Sequence, residues 1–77
     1  ASAERYLRKL GFNQLRVRAH GSIARIEVGK SDMKNLLSKR SNIARRFKEL
    51  GFVYVTLDIE GYRSGSMNEA IAWTRRD

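Results

Sequence analysis

Apolar and polar residues follow a helical period at the start of the chain and then change to the period of strands. Over residues 2–11 the apolar positions recur at intervals of three and four, which predicts a helix capped by Ser2 and ended by Gly11. The segments 15–20 and 23–28 alternate with period two and predict strands. Between them Gly21-Ser22 suits a two-residue turn of type II′, so the strands should form an antiparallel hairpin.

The turn also predicts which hairpin residues lie opposite each other. It places Arg16 opposite Glu27 and Arg18 opposite Arg25 on one face. The other face then carries only apolar pairs, namely Leu15–Val28, Val17–Ile26 and Ala19–Ala24. A shift of one residue would mix charged and apolar positions on both faces, so the pattern specifies this register.

The second half of the chain predicts further helical and strand segments. Apolar positions recur at helical spacing over residues 32–50, but Arg40 interrupts them. Either the helix breaks near Ser41-Asn42, which is the interpretation we favour, or Arg40 has a buried partner. Residues 52–59 are β-branched, aromatic and largely uncharged, which predicts a strand that is central or buried on both faces. Ser66-Met67-Asn68-Glu69 fits a capping box and predicts a last helix from about Met67.

The resulting element order is α–β–β–α–β–α. The second and third strands are joined by a helical crossover and should be parallel, whereas the hairpin is antiparallel. We therefore predict a single α+β domain over residues 1–77, with a small three-stranded mixed sheet and helices packed on one face.

Composition narrows the classes of function. The 77 residues carry 16 Lys and Arg against 8 Asp and Glu, a net charge of +8, with one histidine and no cysteine. Disulfides, thiol nucleophiles and multi-histidine metal sites are thereby excluded. The charge excess favours an anionic partner, such as a nucleotide phosphate, a nucleic acid, an acidic metabolite or a membrane surface. Because neither a membrane span nor a secretory signal is recognised, we expect a cytoplasmic location without membrane contact.

The charged side of the hairpin is the first candidate site. It consists of Arg16, Arg18, Arg25 and Glu27, and we call this set the arginine face. Guanidinium groups bind phosphate and carboxylate in a bidentate manner, and a strand pair holds their spacing, so the set favours anion binding. The alternative is that these are ordinary solvent-facing residues, with Arg16 and Glu27 forming a cross-strand ion pair.

The segment after the last strand is the second candidate site. Asp58 and Glu60 lie two residues apart and could share a metal ion or a proton. A glycine-rich turn with Ser64 and Ser66 then leads into a helix N-terminus, where free N–H groups can bind an anion. The alternative is that Ser66 and Glu69 only cap the helix and that the glycines only make the turn.

Two long stretches of the chain resemble a known family. Residues 15–21 read Leu-Arg-Val-Arg-Ala-His-Gly, and residues 61–69 read Gly-Tyr-Arg-Ser-Gly-Ser-Met-Asn-Glu. Together with their flanks, they resemble the C-terminal part of the ATP-dependent sacrificial sulfur transferases of the LarE type, PP-loop ATPases of nickel-pincer nucleotide biosynthesis. The resemblance covers nearly the whole chain and implies the C-terminal piece of a longer protein.

The resemblance implies what a full-length parent does. Such a parent has an N-terminal PP-loop domain, uses ATP and Mg, and acts on a pyridinium carboxylate mononucleotide. This chain has neither the Ser-Gly-Gly-x-Asp-Ser loop nor a cysteine, so it should not be catalytic alone. Its expected role is to bind the anionic nucleotide, to contact the N-terminal domain and to contribute to a homo-oligomer.

The resemblance also implies roles for individual residues. Arg16 and Arg18 match phosphate or carboxylate ligands of the substrate, and Glu4 matches an acidic position for metal or substrate. Asp58 and Arg63 match the closing signature in a catalytic or structural role. The full set of candidate anion ligands is Arg16, Arg18, Arg25, Arg63, Ser64 and Ser66, and the acidic candidates are Glu4, Glu27, Asp58 and Glu60.

A second hypothesis is RNA binding. The element order resembles one class of KH domain, and the net charge of +8 supplies attraction to phosphate. KH domains carry a Gly-x-x-Gly loop between two consecutive helices. This chain has Ser38-Lys39-Arg40-Ser41 at that place, so RNA binding through residues 39–46 ranks second.

Overall fold

The computed structural model describes residues 2–63. Its helices are α1 (Ser2–Lys9), α2 (Met33–Ser38) and α3 (Arg40–Glu49), and its strands are β1 (Leu15–His20), β2 (Ile23–Val28) and β3 (Tyr54–Leu57). A short 3-10 turn, Lys30–Asp32, precedes α2. The helix predicted from about Met67 lies outside the described residues, as do Ser64 and Ser66. Within the described range, no helix is long and apolar enough to cross a bilayer.

The sheet confirms the predicted α+β architecture. Among the described residues it has three strands in the order β1-β2-β3, with β1 antiparallel to β2 and β2 parallel to β3. The hairpin register is the predicted one, from Leu15 opposite Val28 to His20 opposite Ile23. Gly21 has φ +60° and no described non-glycine residue has a positive φ, as a type II′ turn requires.

The helices pack against one face of the sheet, as predicted. The buried hydrophobic residues come from the helices, the strands and the connection between α1 and β1, and they form one cluster, namely Ala3, Leu7, Phe12, Leu15, Ala24, Ile26, Val28, Leu36, Ile43 and Phe47. Successive residues of a strand lie on opposite faces of the sheet. Because the apolar residues of the hairpin face the helices, the arginine face lies on the other side.

The helix break occurs earlier than predicted. It lies at Lys39, with φ −108° and ψ 17°, and not near Ser41-Asn42. Lys39 donates its N–H to Leu36 and accepts the N–H of Ile43, so one residue ends α2 and starts α3. This position allows the buried Leu36 of α2 and the buried Ile43 of α3 to enter the same core.

The third strand differs from its prediction in length and position. It spans Tyr54–Leu57 and lies at the edge of the described sheet, so burial on both faces was wrong. Val55 and Leu57 pack against the core, whereas Tyr54 is 62% exposed. The predicted first residue, Phe52, instead packs against Phe47 with ring centroids 5.9 Å apart.

Candidate functional site

The arginine face lies on the side of the sheet opposite the helices. Arg16 and Arg18 come from β1, and Arg25 and Glu27 come from the neighbouring β2. Their separation is set by the hydrogen-bonded register of the hairpin, in which Arg18 lies opposite Arg25. The guanidinium groups are therefore anchored to regular backbone rather than to a loop.

A buried carboxylate lies at the centre of this face. Glu27 is only 2% exposed, although it lies on the polar side of the sheet. Its Oε2 accepts a hydrogen bond from Nη2 of Arg25 at 3.1 Å and lies 3.7 Å from Nε of Arg18. Burial of a charge is costly unless it is paired, and these cations provide the pairing.

The ion pairs do not follow the cross-strand pairing. Arg16 is the backbone partner of Glu27, but the ion pairs of Glu27 are with Arg18 and Arg25. The alternative of an ordinary Arg16–Glu27 pair is therefore wrong. Glu27 instead shares its one negative charge between the two inner arginines and does not cancel both positive charges. Its second oxygen, Oε1, has no hydrogen-bond partner among the described residues. This oxygen retains the capacity to accept a hydrogen bond.

Arg16 has a different neighbour, which the sequence pattern did not indicate. Its guanidinium carbon lies 6.0 Å from the ring centroid of Tyr62, at the outer limit of a cation–π contact. The chain returns to this position because Gly61 adopts φ +86° and the Tyr62 N–H binds the carbonyl of Val28 at 2.8 Å. Arg16 is exposed and makes no ion pair within residues 2–63.

The two carboxylates of the second candidate site have different partners. Oδ2 of Asp58 lies 3.9 Å from Nε of Arg25, so Asp58 adjoins the arginine face. Oδ1 of Asp58 accepts the N–H of Glu60 at 3.0 Å, whereas the Glu60 carboxylate accepts a hydrogen bond from Arg63 at 2.8 Å. No group of three or more potential metal ligands occurs in the described part of the chain.

Glu4 lies at the outer edge of the sheet. Its Oε2 accepts the backbone N–H of Val17 at 3.0 Å, and Val17 is the residue between Arg16 and Arg18. This bond joins α1 to β1, the strand that carries Arg16 and Arg18. Because β1 is an edge strand in the part of the chain that the structure describes, the N–H of Val17 has no neighbouring strand to bond to, and the carboxylate of Glu4 accepts it instead.

The structure therefore brings together part of the predicted site. Arg18, Arg25, Glu27 and Asp58 form one charged cluster, which Arg16 and Tyr62 extend. Glu60 and Arg63 pair with each other on the exposed loop. Tyr62 was not among the site residues predicted from the sequence. Its one signal in the sequence is that it is an aromatic residue directly after a turn glycine.

No protein-family model matches the sequence. Comparison with individual proteins finds pyridinium-3,5-bisthiocarboxylic acid mononucleotide synthase of Lactiplantibacillus plantarum, 47% identical over 70 residues that make up 91% of this chain and 25% of that protein. An uncharacterised protein of Synechocystis is 44% identical over 71 residues, 90% of this chain and 26% of that protein. An uncharacterised protein of Methanocaldococcus jannaschii is 33% identical over 61 residues, which make up 79% of this chain and 24% of that protein.

The similarity thus extends over most of this chain, which spans about a quarter of the length of these curated relatives. The predicted resemblance to the LarE-type family is confirmed, because 91% of this chain is similar to a portion of the L. plantarum synthase that makes up 25% of that protein.

Proposed function

We propose that this chain is the substrate-binding and assembly domain of a PP-loop sulfur transferase of nickel-pincer cofactor biosynthesis. Its ligand is the phosphate or carboxylate of a pyridinium carboxylate mononucleotide. The observation that supports this role best is the arrangement of Arg16 and Arg18 beside the buried Glu27 on one rigid sheet face. The relative from L. plantarum is named as a synthase of a pyridinium-3,5-bisthiocarboxylic acid mononucleotide, which supports a pyridinium mononucleotide as the ligand class.

The charges of the arginine face fit an anionic ligand. Arg18 and Arg25 are already paired with Glu27, which holds both guanidinium groups in position. Arg16 has an aromatic neighbour in place of a carboxylate and remains exposed. A bidentate contact from Arg16 to a phosphate is the kind of interaction for which guanidinium is preferred. Arg16 is therefore the first ligand in the proposal, with Arg18 next to it.

The remainder of the reaction belongs to a longer parent. In the proposal, an N-terminal PP-loop domain of the parent uses ATP and Mg. The domain formed by the present chain supplies the arginines and the contacts between subunits. The described chain offers no cysteine as a sulfur donor, in keeping with a role that is not catalytic alone. Its contribution to the rate is then the positioning of the mononucleotide.

The test is a titration of the 77-residue chain with nicotinic acid mononucleotide, followed by backbone NMR shifts. We expect the shifts to centre on residues 16–18 and 25–27. Arg16→Gln should weaken binding by about tenfold or more, since a charge-assisted hydrogen bond contributes about 1.5–3 kcal/mol. Lys48→Gln, which removes the same charge from an exposed position on α3, is the control and should change affinity less than about twofold.

Two results would contradict the proposal. One is an equal loss of affinity in both variants, which would indicate attraction by net charge alone. The other is an absence of response to the mononucleotide with shifts over residues 39–46 on addition of single-stranded RNA. That second result would favour the RNA-binding alternative, for which the direct succession of α2 and α3 at Lys39 offers no glycine loop.

A further inference from the structure

The positive charge of the chain is not concentrated on the arginine face. Residues 15–28 and 54–63, which form the sheet and its return loop, contain four Lys and Arg against three Asp and Glu. Residues 2–9 and 30–49, which form the helices and the 3-10 turn, contain ten against three. The proposed nucleotide site therefore leaves most of the charge excess, on the opposite side of the domain, without a function.

Part of this excess converges on a cleft between two helices. The cleft has a volume of about 140 Å³ and is lined by Ser2, Arg5, Tyr6, Lys9 and Arg46, and we call it the α1–α3 cleft. Arg5 and Lys9 are four residues apart on α1 and so project from the same side of that helix. Arg46 reaches the cleft from α3.

Within residues 2–63, two of the three cations that line this cleft have no ion-pair partner. Arg46 pairs with Glu49, with Nη1 and Oε1 3.2 Å apart, in an exposed contact. Arg5 and Lys9 make no ion pair with any described residue. Like charges one helical turn apart repel each other, and an anion between them removes this cost. The hydroxyls of Ser2 and Tyr6 add hydrogen-bond donors of the kind that a phosphate oxygen accepts.

We propose that the α1–α3 cleft is a second anion site, separate from the arginine face, that binds a phosphoryl group through Arg5, Lys9 and Arg46. The group can belong to a small phosphate compound or to a nucleic acid backbone, because both present the same oxygens. The two sites lie on opposite sides of the core, so one nucleotide does not occupy both.

The probe is inorganic pyrophosphate, added to the 77-residue chain and followed by backbone NMR shifts. The test variant is Arg5→Gln with Lys9→Gln, and the matched control is Arg8→Gln with Lys48→Gln. Both double variants remove two positive charges from exposed helix positions, but Arg8 and Lys48 do not line the cleft. Retained shift dispersion in each variant verifies that the fold is intact.

We expect pyrophosphate to shift the resonances of Arg5, Tyr6, Lys9 and Arg46. The test variant should lose at least about tenfold in affinity, and the control less than about threefold. A short single-stranded RNA at low and high salt identifies the source of the phosphate. If RNA shifts these residues and pyrophosphate does not, and if the test variant abolishes the RNA shifts, the site is supported with a nucleic acid as its ligand.

Two outcomes would overturn the proposal. If both double variants lose affinity equally, the attraction comes from net charge and not from a site. If pyrophosphate and RNA shift only residues of the arginine face, the α1–α3 cleft binds neither. Neither outcome affects the nucleotide titration, because Arg16 lines no part of this cleft.

Discussion

Arg25 and Glu27 lie two residues apart on β2, and their side chains meet on one face of the sheet with Nη2 and Oε2 3.1 Å apart. The period of a strand places both residues on the same side. Because Glu27 is 2% exposed and also adjoins Arg18 from the neighbouring strand, one carboxylate orients two guanidinium groups. The order of the arginine face therefore depends on Glu27.

The first prediction concerns this carboxylate. Glu27→Gln should lower the free energy of unfolding by about 1–2 kcal/mol, since neutral hydrogen bonds replace charge-assisted ones while the arginines retain access to water. The measurement is urea denaturation followed by circular dichroism. Glu60→Gln is the control, because its pair with Arg63 is exposed and should contribute less than about 0.5 kcal/mol. Equal midpoints for the two variants would contradict the prediction.

The second prediction concerns the ring beside Arg16. Tyr62→Ala should weaken binding of nicotinic acid mononucleotide by about two- to fivefold, because a cation–π contact at an exposed site contributes about 0.5–1 kcal/mol. Tyr62→Phe keeps the ring and should bind like the original chain. Isothermal titration calorimetry measures both affinities. A loss in Tyr62→Phe as large as in Tyr62→Ala would assign the effect to the hydroxyl group instead.

A third prediction compares two glycines with positive φ. Gly51→Ala, at φ +107° with nothing within 4 Å of the added Cβ, should cost about 1–2 kcal/mol from the backbone alone. Gly61→Ala, at φ +86°, adds crowding, because its Cβ would lie 3.1 Å from the Val28 carbonyl oxygen and 3.2 Å from Met33 Cε. We expect it to cost about a further 1–3 kcal/mol. Denaturation midpoints that coincide would show that the loop yields.

The fourth prediction separates two roles of Glu4. Glu4→Gln retains an oxygen that accepts the Val17 N–H, so stability should change by less than about 0.5 kcal/mol. Glu4→Ala removes the acceptor and should cost about 1 kcal/mol. Thermal unfolding of the two variants measures the difference. Should Glu4→Gln be the less stable one, the charge of Glu4 stabilises the domain more than its hydrogen bond does.

The sequence predicted the hairpin residue by residue but not the places where other elements end. The register of the hairpin was specified twice, by the turn at Gly21 and by the separation of charged from apolar pairs. The break at Lys39 had no such redundancy, because Arg40 indicates an interruption without fixing its position. Whether β3 lies at the edge depends on which strands pair with it, and the apolar composition of a strand does not indicate this.

The same distinction applies to the site. The common face of Arg16, Arg18 and Arg25 follows from strand periodicity and was predicted. The position of Tyr62 depends on the return of the chain after β3, a long-range event without a local pattern. The burial of Glu27 likewise depends on the arginines that pair with it, one of them on the neighbouring strand, and an alternating polar pattern does not indicate it.

The hairpin turn has a consequence for the order of folding. The carbonyl of Ser22 accepts the N–H groups of both Val53 and Tyr54, at 2.8 and 3.2 Å, so the third strand docks on a group that the turn positions. Closing the hairpin joins neighbouring residues, whereas pairing Ile23 with Tyr54 closes a long loop at a higher entropic cost. The hairpin should therefore form first.

Gly21→Ala, which strains the turn, should slow refolding and change the unfolding rate little. Stopped-flow refolding and unfolding measure the two rates, and a change confined to unfolding would refute this order. In this predicted order, the turn between β1 and β2 forms before the parallel strand joins the sheet.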